Sequence, residues 1–199
     1  MVVPERKDST SARLTRDHWI QAALAAIAEG GLTAVAVEPL ATRLGTTKGS
    51  FYWHFVNREA LLQAALGQWE EQTTTVVIGE INNAPDDPPA RLRMLVTRVI
   101  ALAEQDAVGP ALMANAKHPS VQPVLSRVTR ARIGLTVDVL RSMGFDPHQA
   151  KLRAMLAYSA YLGHAQLAHS TPELTFQTKQ QRREYLEHVL RTLGAPSAP

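Results

Sequence analysis

Apolar residues in this 199-residue chain recur at helical spacing almost throughout, and no stretch sustains the alternation of a half-buried strand. That periodicity restricts the fold to the all-α class. Thr15 predicts an N-cap, Asp17 suits the first turn, and Ile20, Leu24 and Ile27 carry one face until Gly30-Gly31 stops the helix. A short second helix is expected over Glu38 to Leu44, ended by Gly45, and a third over Thr47 to His54. Asn57 caps a long fourth helix reaching towards Ile81. Asn82 to Pro89 reads as a loop, Leu92, Leu95, Val96, Val99 and Leu102 rebuild an apolar face, and Gly109-Pro110 predicts another break. Pro119 opens a helix to Met143, closed by Gly144 and Phe145 in a Schellman pattern. Asp146 caps a helix from Pro147 to His169, and a final one covers Thr178 to Leu193. The chain thus reads as about nine helices, three short ones up to Phe55 and longer ones afterwards.

Composition supports a packed core and excludes several chemistries. The hydrophobic fraction of 45% suits a folded chain, and the absence of cysteine removes disulfides, thiolate metal sites and thiol redox sensing. Charges in Met1 to Asp8 argue against a signal peptide, and a cytoplasmic protein is expected. The longest stretch without Asp, Glu, Lys or Arg, Ala154 to Pro172, contains His164, Gln166, His169, Ser170 and Thr171, so it reads as a buried helix and no membrane partner is expected. A net charge of +3 hints only weakly at an anionic partner.

The residues with the most chemical content are Val37-Glu38-Pro39-Leu40-Ala41-Thr42-Arg43-Leu44-Gly45-Thr46-Thr47-Lys48-Gly49-Ser50-Phe51-Tyr52-Trp53-His54-Phe55. Two short helices joined at a glycine form a helix-turn-helix signature, in which the first helix crosses the phosphate backbone and the second enters the major groove. Thr46, Thr47, Lys48 and Ser50 supply hydroxyls and an ammonium at a helix start, and Gly49 lets the backbone approach DNA. Phe51 and Phe55, four apart, face the core, which leaves Tyr52, Trp53 and His54 around the rest of the helix. Trp53 suits either hydrophobic packing or contact with a thymine methyl or sugar. Arg58, just past the Asn57 cap, is placed to reach a phosphate.

From about Leu14 to Leu66 the sequence resembles the TetR family of bacterial regulators. The resemblance is carried by Leu40-Ala41, Leu44-Gly45, Lys48-Gly49-Ser50-Phe51-Tyr52-Trp53-His54-Phe55 and Asn57-Arg58-Glu59-Ala60-Leu61-Leu62. It implies a DNA-binding domain over residues 12–72, and an effector-binding and dimerisation domain over 73–199. It also implies a homodimer through the last two long helices and repression of a palindromic DNA operator relieved by a small molecule. Family members contact DNA from the positions matching Thr47, Lys48, Gly49, Ser50, Tyr52, Trp53, His54 and Arg58. Two departures are visible: Ala36 and Val37 stand where the family often has a Ser or Thr cap, and Glu38 places an acid near the expected phosphate crossing. Arg6, Lys7 and Arg13 suit either a solvated, disordered tail or an arm reaching an adjacent groove.

Beyond Gln72 only pattern remains. The Pro147 to His169 helix is apolar around most of its circumference and is expected to be buried on several sides. An effector cavity is expected to draw on Met94, Met113, Met155, Tyr158, Tyr161 and His164, with Leu95 and Leu112 beside them, and to suit a small apolar or aromatic ligand. No metal is expected: His164 and His169 lie five apart, roughly 140° around a helix. Nor are catalytic residues or a cofactor, since no nucleophile elbow, P-loop or dinucleotide fingerprint occurs. Arg127, Arg130, Arg132 and Arg141 read as a solvated face. The alternative to a DNA-binding regulator is a helical adaptor with a vestigial helix-turn-helix.

Overall fold

The computed structural model describes residues 14–195, and the candidate arm residues Arg6, Lys7 and Arg13 lie outside them. Among the described residues there is no strand, and no helix is long and apolar enough to cross a membrane. Helix α1 spans Arg16–Gly30, α2 Val37–Arg43 and α3 Lys48–Tyr52. Helices α4 (Arg58–Glu70) and α5 (Val76–Asn82) are joined without a break by a π-helical turn over Glu71–Thr75, so the expected long helix exists with one widened turn. The rest comprises α6 (Pro88–Gln105), α7 (Val108–Ala114), α8 (Gln122–Ser142), α9 (Pro147–Ser170) and α10 (Lys179–Gly194).

Local chemistry sets these boundaries. After α2, Gly45 at φ 63° donates its amide to the Thr42 carbonyl, and Thr46 donates to Ala41, a Schellman stop that turns the chain into α3. The same pair of bonds ends α8 at Gly144 and Phe145. Thr47, Asn57, Asp146 and Thr178 cap their helices with side-chain oxygens, whereas Ala36 caps α2 with none.

Three expected boundaries differ. Asp87 accepts from the Ala90 amide and starts α6 within the expected loop. Gly109-Pro110 does not break structure but sits in the first turn of α7, where proline's missing N–H costs nothing, and Asp106 accepts from the amides of Val108 and Gly109. Pro119 stays in a turn, and Pro123 occupies the first turn of α8 instead.

Two apolar cores result. The first packs Trp19, Ile27, Leu40, Phe51, Phe55, Leu61, Leu62, Leu66 and Trp69 with Leu112 of α7 and Val124, Leu125 and Val128 of α8. The second joins Val77, Ile81, Leu92, Leu95 and Val96 to Leu135, Val139 and Leu140 of α8, Ala150 and Ala154 of α9, and Leu193 of α10. Helix α8 therefore serves both cores, and Arg132 falls on it between Val128 and Leu135. The Pro147–Ser170 helix is not buried on several sides in the single chain: Leu152, Met155, Leu156 and Leu167 are about half exposed. At about 100° per residue these four share one face, so α9 leaves an apolar stripe uncovered.

Candidate nucleic-acid interface and interior cavities

Helix α3 is held by Phe51 and presents its remaining side chains outward. Phe51 is fully buried, with its ring 5.3 Å from Trp19 edge-to-face and 5.7 Å from Phe55 in a stack. One residue further round, Tyr52 is 55% exposed and Trp53 89% exposed. An indole this bare contributes nothing to folding, so of the two roles open to Trp53, packing is excluded. Thr47, Lys48 and Gly49 are exposed beside it, and Ser50 and His54 are half-buried.

Two charged residues of this face are already engaged. Lys48 Nζ lies 2.6 Å from Glu38 Oε1, and this pairing holds the Glu38 carboxyl below the usual carboxylate range and pushes the lysine up. Arg58, expected at a phosphate, points inward. Its Nε donates to the Val35 carbonyl at 2.5 Å and a terminal nitrogen donates to Leu32 at 2.6 Å. The Leu32 carbonyl also closes the 3₁₀ turn Leu32–Ala34 by accepting from the Val35 amide, so in this structure Arg58 ties the start of α4 to the segment that feeds α2. A bidentate Arg43–Glu29 pair at 2.7 Å adds a tie between α2 and α1.

Two adjoining cavities of the bundle meet at Arg132, Tyr158 and Tyr161. The larger, about 180 Å³, is lined by Trp69, Pro110, Met113, Val128, Leu162 and Ala165, with Arg132, Tyr158, Tyr161 and Gln166 as its main polar groups. The smaller, about 60 Å³, lies among α5, α6 and α8 and shares Arg132, Tyr158 and Tyr161 with the first. Of the candidate effector residues, Tyr158 and Tyr161 line both and Met113 lines the larger. Met94 and Met155 line neither and are substantially exposed, because the apolar faces they mark point out of the bundle. His164, outside both, lines a third cavity of about 50 Å³ beside Tyr161 and Tyr185. It is buried, stacked on Phe176 and Tyr185 at 5.8 and 5.5 Å, and burial lowers its pKa against the opposing pull of Glu104.

Arg132 is the residue that sequence pattern conceals. Instead of facing solvent it is half-buried, donating from Nε to Thr74 Oγ1 at 3.0 Å and from its terminal nitrogens to Tyr161 Oη at 3.0 Å, Thr73 Oγ1 at 2.9 Å and the Thr73 carbonyl at 3.2 Å. Its guanidinium also lies over the rings of Trp69 and Tyr161, at 5.5 and 5.3 Å. Thr73 and Thr74 belong to the π-helical turn, so Arg132 clasps the one irregular turn of the helix that continues from the helix-turn-helix into the bundle.

A helix-turn-helix mounted on a helical bundle is the class of protein this arrangement defines. Residues 20–65 match the profile described as "Bacterial regulatory proteins, tetR family". The chain is 29% identical over 100 residues to the HTH-type transcriptional regulator AcrR of Shigella flexneri, covering 48% of this chain and 44% of that protein. It is 30% identical over 94 residues to the regulator TtgR of Pseudomonas putida, covering 47% and 45%. The chain thus spans about half the length of these relatives. A crystal structure of a TetR transcriptional regulator from Legionella pneumophila shares the fold, with a TM-score of 0.73 over 90% of this chain and 97% of that one at 17% identity. Residues 20–65 thus form an N-terminal domain of the TetR type.

Proposed function

We propose that the protein is a homodimeric, sequence-specific DNA-binding transcriptional regulator, a repressor that leaves a palindromic operator when a small effector occupies the bundle, and that it works in the cytoplasm with its DNA. Residues 12–72 form the DNA-binding part and 73–199 the effector and dimerisation part. The observation that carries this reading is the outward face of α3, where Tyr52 and Trp53 stand exposed beside Thr47 and Lys48 on a helix anchored by Phe51. Exposed aromatic rings next to hydroxyls and an ammonium suit phosphate and base contacts. Ser50 and His54 complete that face, and Gly49 leaves the backbone open. Arg58 acts indirectly, by fixing the approach of α2 to α4.

For the second copy, the uncovered stripe of α9 offers Leu152, Met155, Leu156 and Leu167, with Ala160 and Gly163 allowing close approach. Apolar side chains on one helix face are covered best by the same face of a partner related by a two-fold axis. The two cavities give a small ligand its place, close to the helix that carries the DNA-binding part.

Binding of the protein to its own upstream DNA, followed by fluorescence anisotropy across a salt series against random duplex, tests the reading. Affinity is expected to fall steeply with salt as phosphate contacts release counterions, and to survive competition. Lys48→Ala with Tyr52→Ala is expected to weaken binding about tenfold or more while helicity and dimerisation persist. Salt-independent binding, or undiminished affinity of the double variant, would favour the adaptor.

Glu38→Gln gives a second, opposite expectation. The carboxylate competes with phosphate for Lys48 and repels the backbone, so its removal is expected to tighten binding about two- to tenfold, mainly through faster association. The gain should shrink as salt rises. An unchanged association rate would mean that Lys48 stays clear of phosphate.

A further inference from the structure

We infer that the effector is a small organic acid, a carboxylate with a single aromatic ring or short alkyl body, and that Arg132 receives its charge. The inference deepens the reading that an effector occupies the bundle. It starts from an imbalance: Arg132 is half-buried and every hydrogen bond it makes is to a neutral oxygen, while its π contacts are to Trp69 and Tyr161. Among the described residues no carboxylate forms a salt bridge with it, although seven other Arg and Lys side chains do find one. Asp106, in the same region, has one oxygen on the Trp69 indole and the other on the amides of Val108 and Gly109. Neither cavity has an Asp or Glu in its lining. A cation withdrawn from water without a counterion is a charge that a ligand can complete, and the charge-assisted bond is worth more there than in water.

The dimensions restrict what brings the anion. A cavity of about 180 Å³ is close to the roughly 150 Å³ that accepts benzene in an apolar protein interior, so one ring or a short chain fits and a multi-ring body does not. Its walls are Trp69, Met113, Leu125, Val128 and Leu162, which suit that body. Tyr161 adds a hydroxyl beside Arg132, and burial pushes its phenol up, keeping it a neutral hydrogen-bonding group. A carboxylate drawing on the guanidinium competes directly with Thr73 and Thr74. It therefore acts on the π-helical turn of the helix that continues into the DNA-binding part.

Calorimetric titration of the full chain with benzoate, phenylacetate and hexanoate, each against its neutral amide, tests this. The acids are expected to bind about tenfold or more tightly than the amides, a preference that Arg132→Gln abolishes and Arg132→Lys partly keeps. If Arg132→Gln fails to fold by circular dichroism, Ala165→Leu, which fills the larger cavity and leaves Arg132 in place, is expected to abolish binding of the acids. Equal binding of acids and amides, no binding of any acid at millimolar concentration, or acid binding undiminished in the variant that folds would overturn the inference. Displacement of upstream DNA, measured in parallel, separates the two readings. Acids that bind without releasing DNA leave the acid site standing and remove its regulatory role. Amides that release DNA where acids do not keep the regulator and remove the acid site.

Discussion

Phe51→Ala is expected to cost the protein about 3–5 kcal/mol of stability in urea unfolding, the largest loss from any single change on the helix-turn-helix. The ring is fully buried and meets Trp19, Tyr52 and Phe55 at centroid distances of 5.3, 5.2 and 5.7 Å. A helix of five residues has almost no stability of its own, so α3 exists because this side chain fastens it to α1. Truncation leaves a cavity beneath the exposed Tyr52–Trp53 edge, and DNA binding is expected to disappear with the packing. Trp53→Ala, one residue away and 89% exposed, provides the contrast: stability should change by no more than about 0.5 kcal/mol while DNA affinity falls. A loss below about 1 kcal/mol for Phe51→Ala would show that α3 is held by something other than this ring.

The burial of Phe51 and Phe55 is legible in the sequence because it is local, whereas Trp53 stays open there between packing and DNA contact and is decided by its exposure in the fold. Four-residue spacing puts Phe51 and Phe55 on one side, the glycines at 45 and 144 announce Schellman stops, and Asn57, Asp146 and Thr178 announce helix starts. Each signal lies within a few residues of its effect. Arg58 and Arg132 depend on what the fold brings from far away. The carbonyls that hold Arg58 lie 23 and 26 residues earlier, and the threonines that hold Arg132 lie nearly 60 residues away in a turn whose Thr73-Thr74-Thr75 sequence reads as ordinary helix. Both arginines resemble surface charges when only their own helix is considered.

The candidate cavity residues separate for a related reason. Periodicity reports that a face is apolar without reporting what it faces. Tyr158 and Tyr161 turn towards α8 and line cavities, whereas Met155, on the same helix, belongs to the outward stripe. Gly109-Pro110 shows the limit in another form: a pair that ordinarily breaks helices sits at a helix start because Asp106 accepts from the amides of Val108 and Gly109. With Asp106 also bound to the Trp69 indole, a carboxylate expected in no particular role anchors α7 beside the larger cavity.

That outward stripe carries the second large expectation, for Leu156→Glu. Leu156 is 55% exposed in the single chain, with Leu152 at 53% and Met155 at 54% beside it on α9. In the proposed dimer the same face meets its copy across a two-fold axis, so one substitution would introduce two facing carboxylates into an apolar contact. Burying like charges without partners disfavours association strongly, and sedimentation is expected to show a monomer for the variant and a dimer for the unaltered protein. Far-UV circular dichroism should be unchanged, because more than half of the side chain is exposed within its own subunit. Loss of the dimer also removes the second recognition helix from the next major-groove turn, about 34–36 Å away, so operator affinity is expected to fall about a hundredfold or more. A variant that remains dimeric would move the interface off α9. A monomeric variant with undiminished operator affinity would show that a single α3 suffices, and the uncovered stripe would then need a partner other than a second copy.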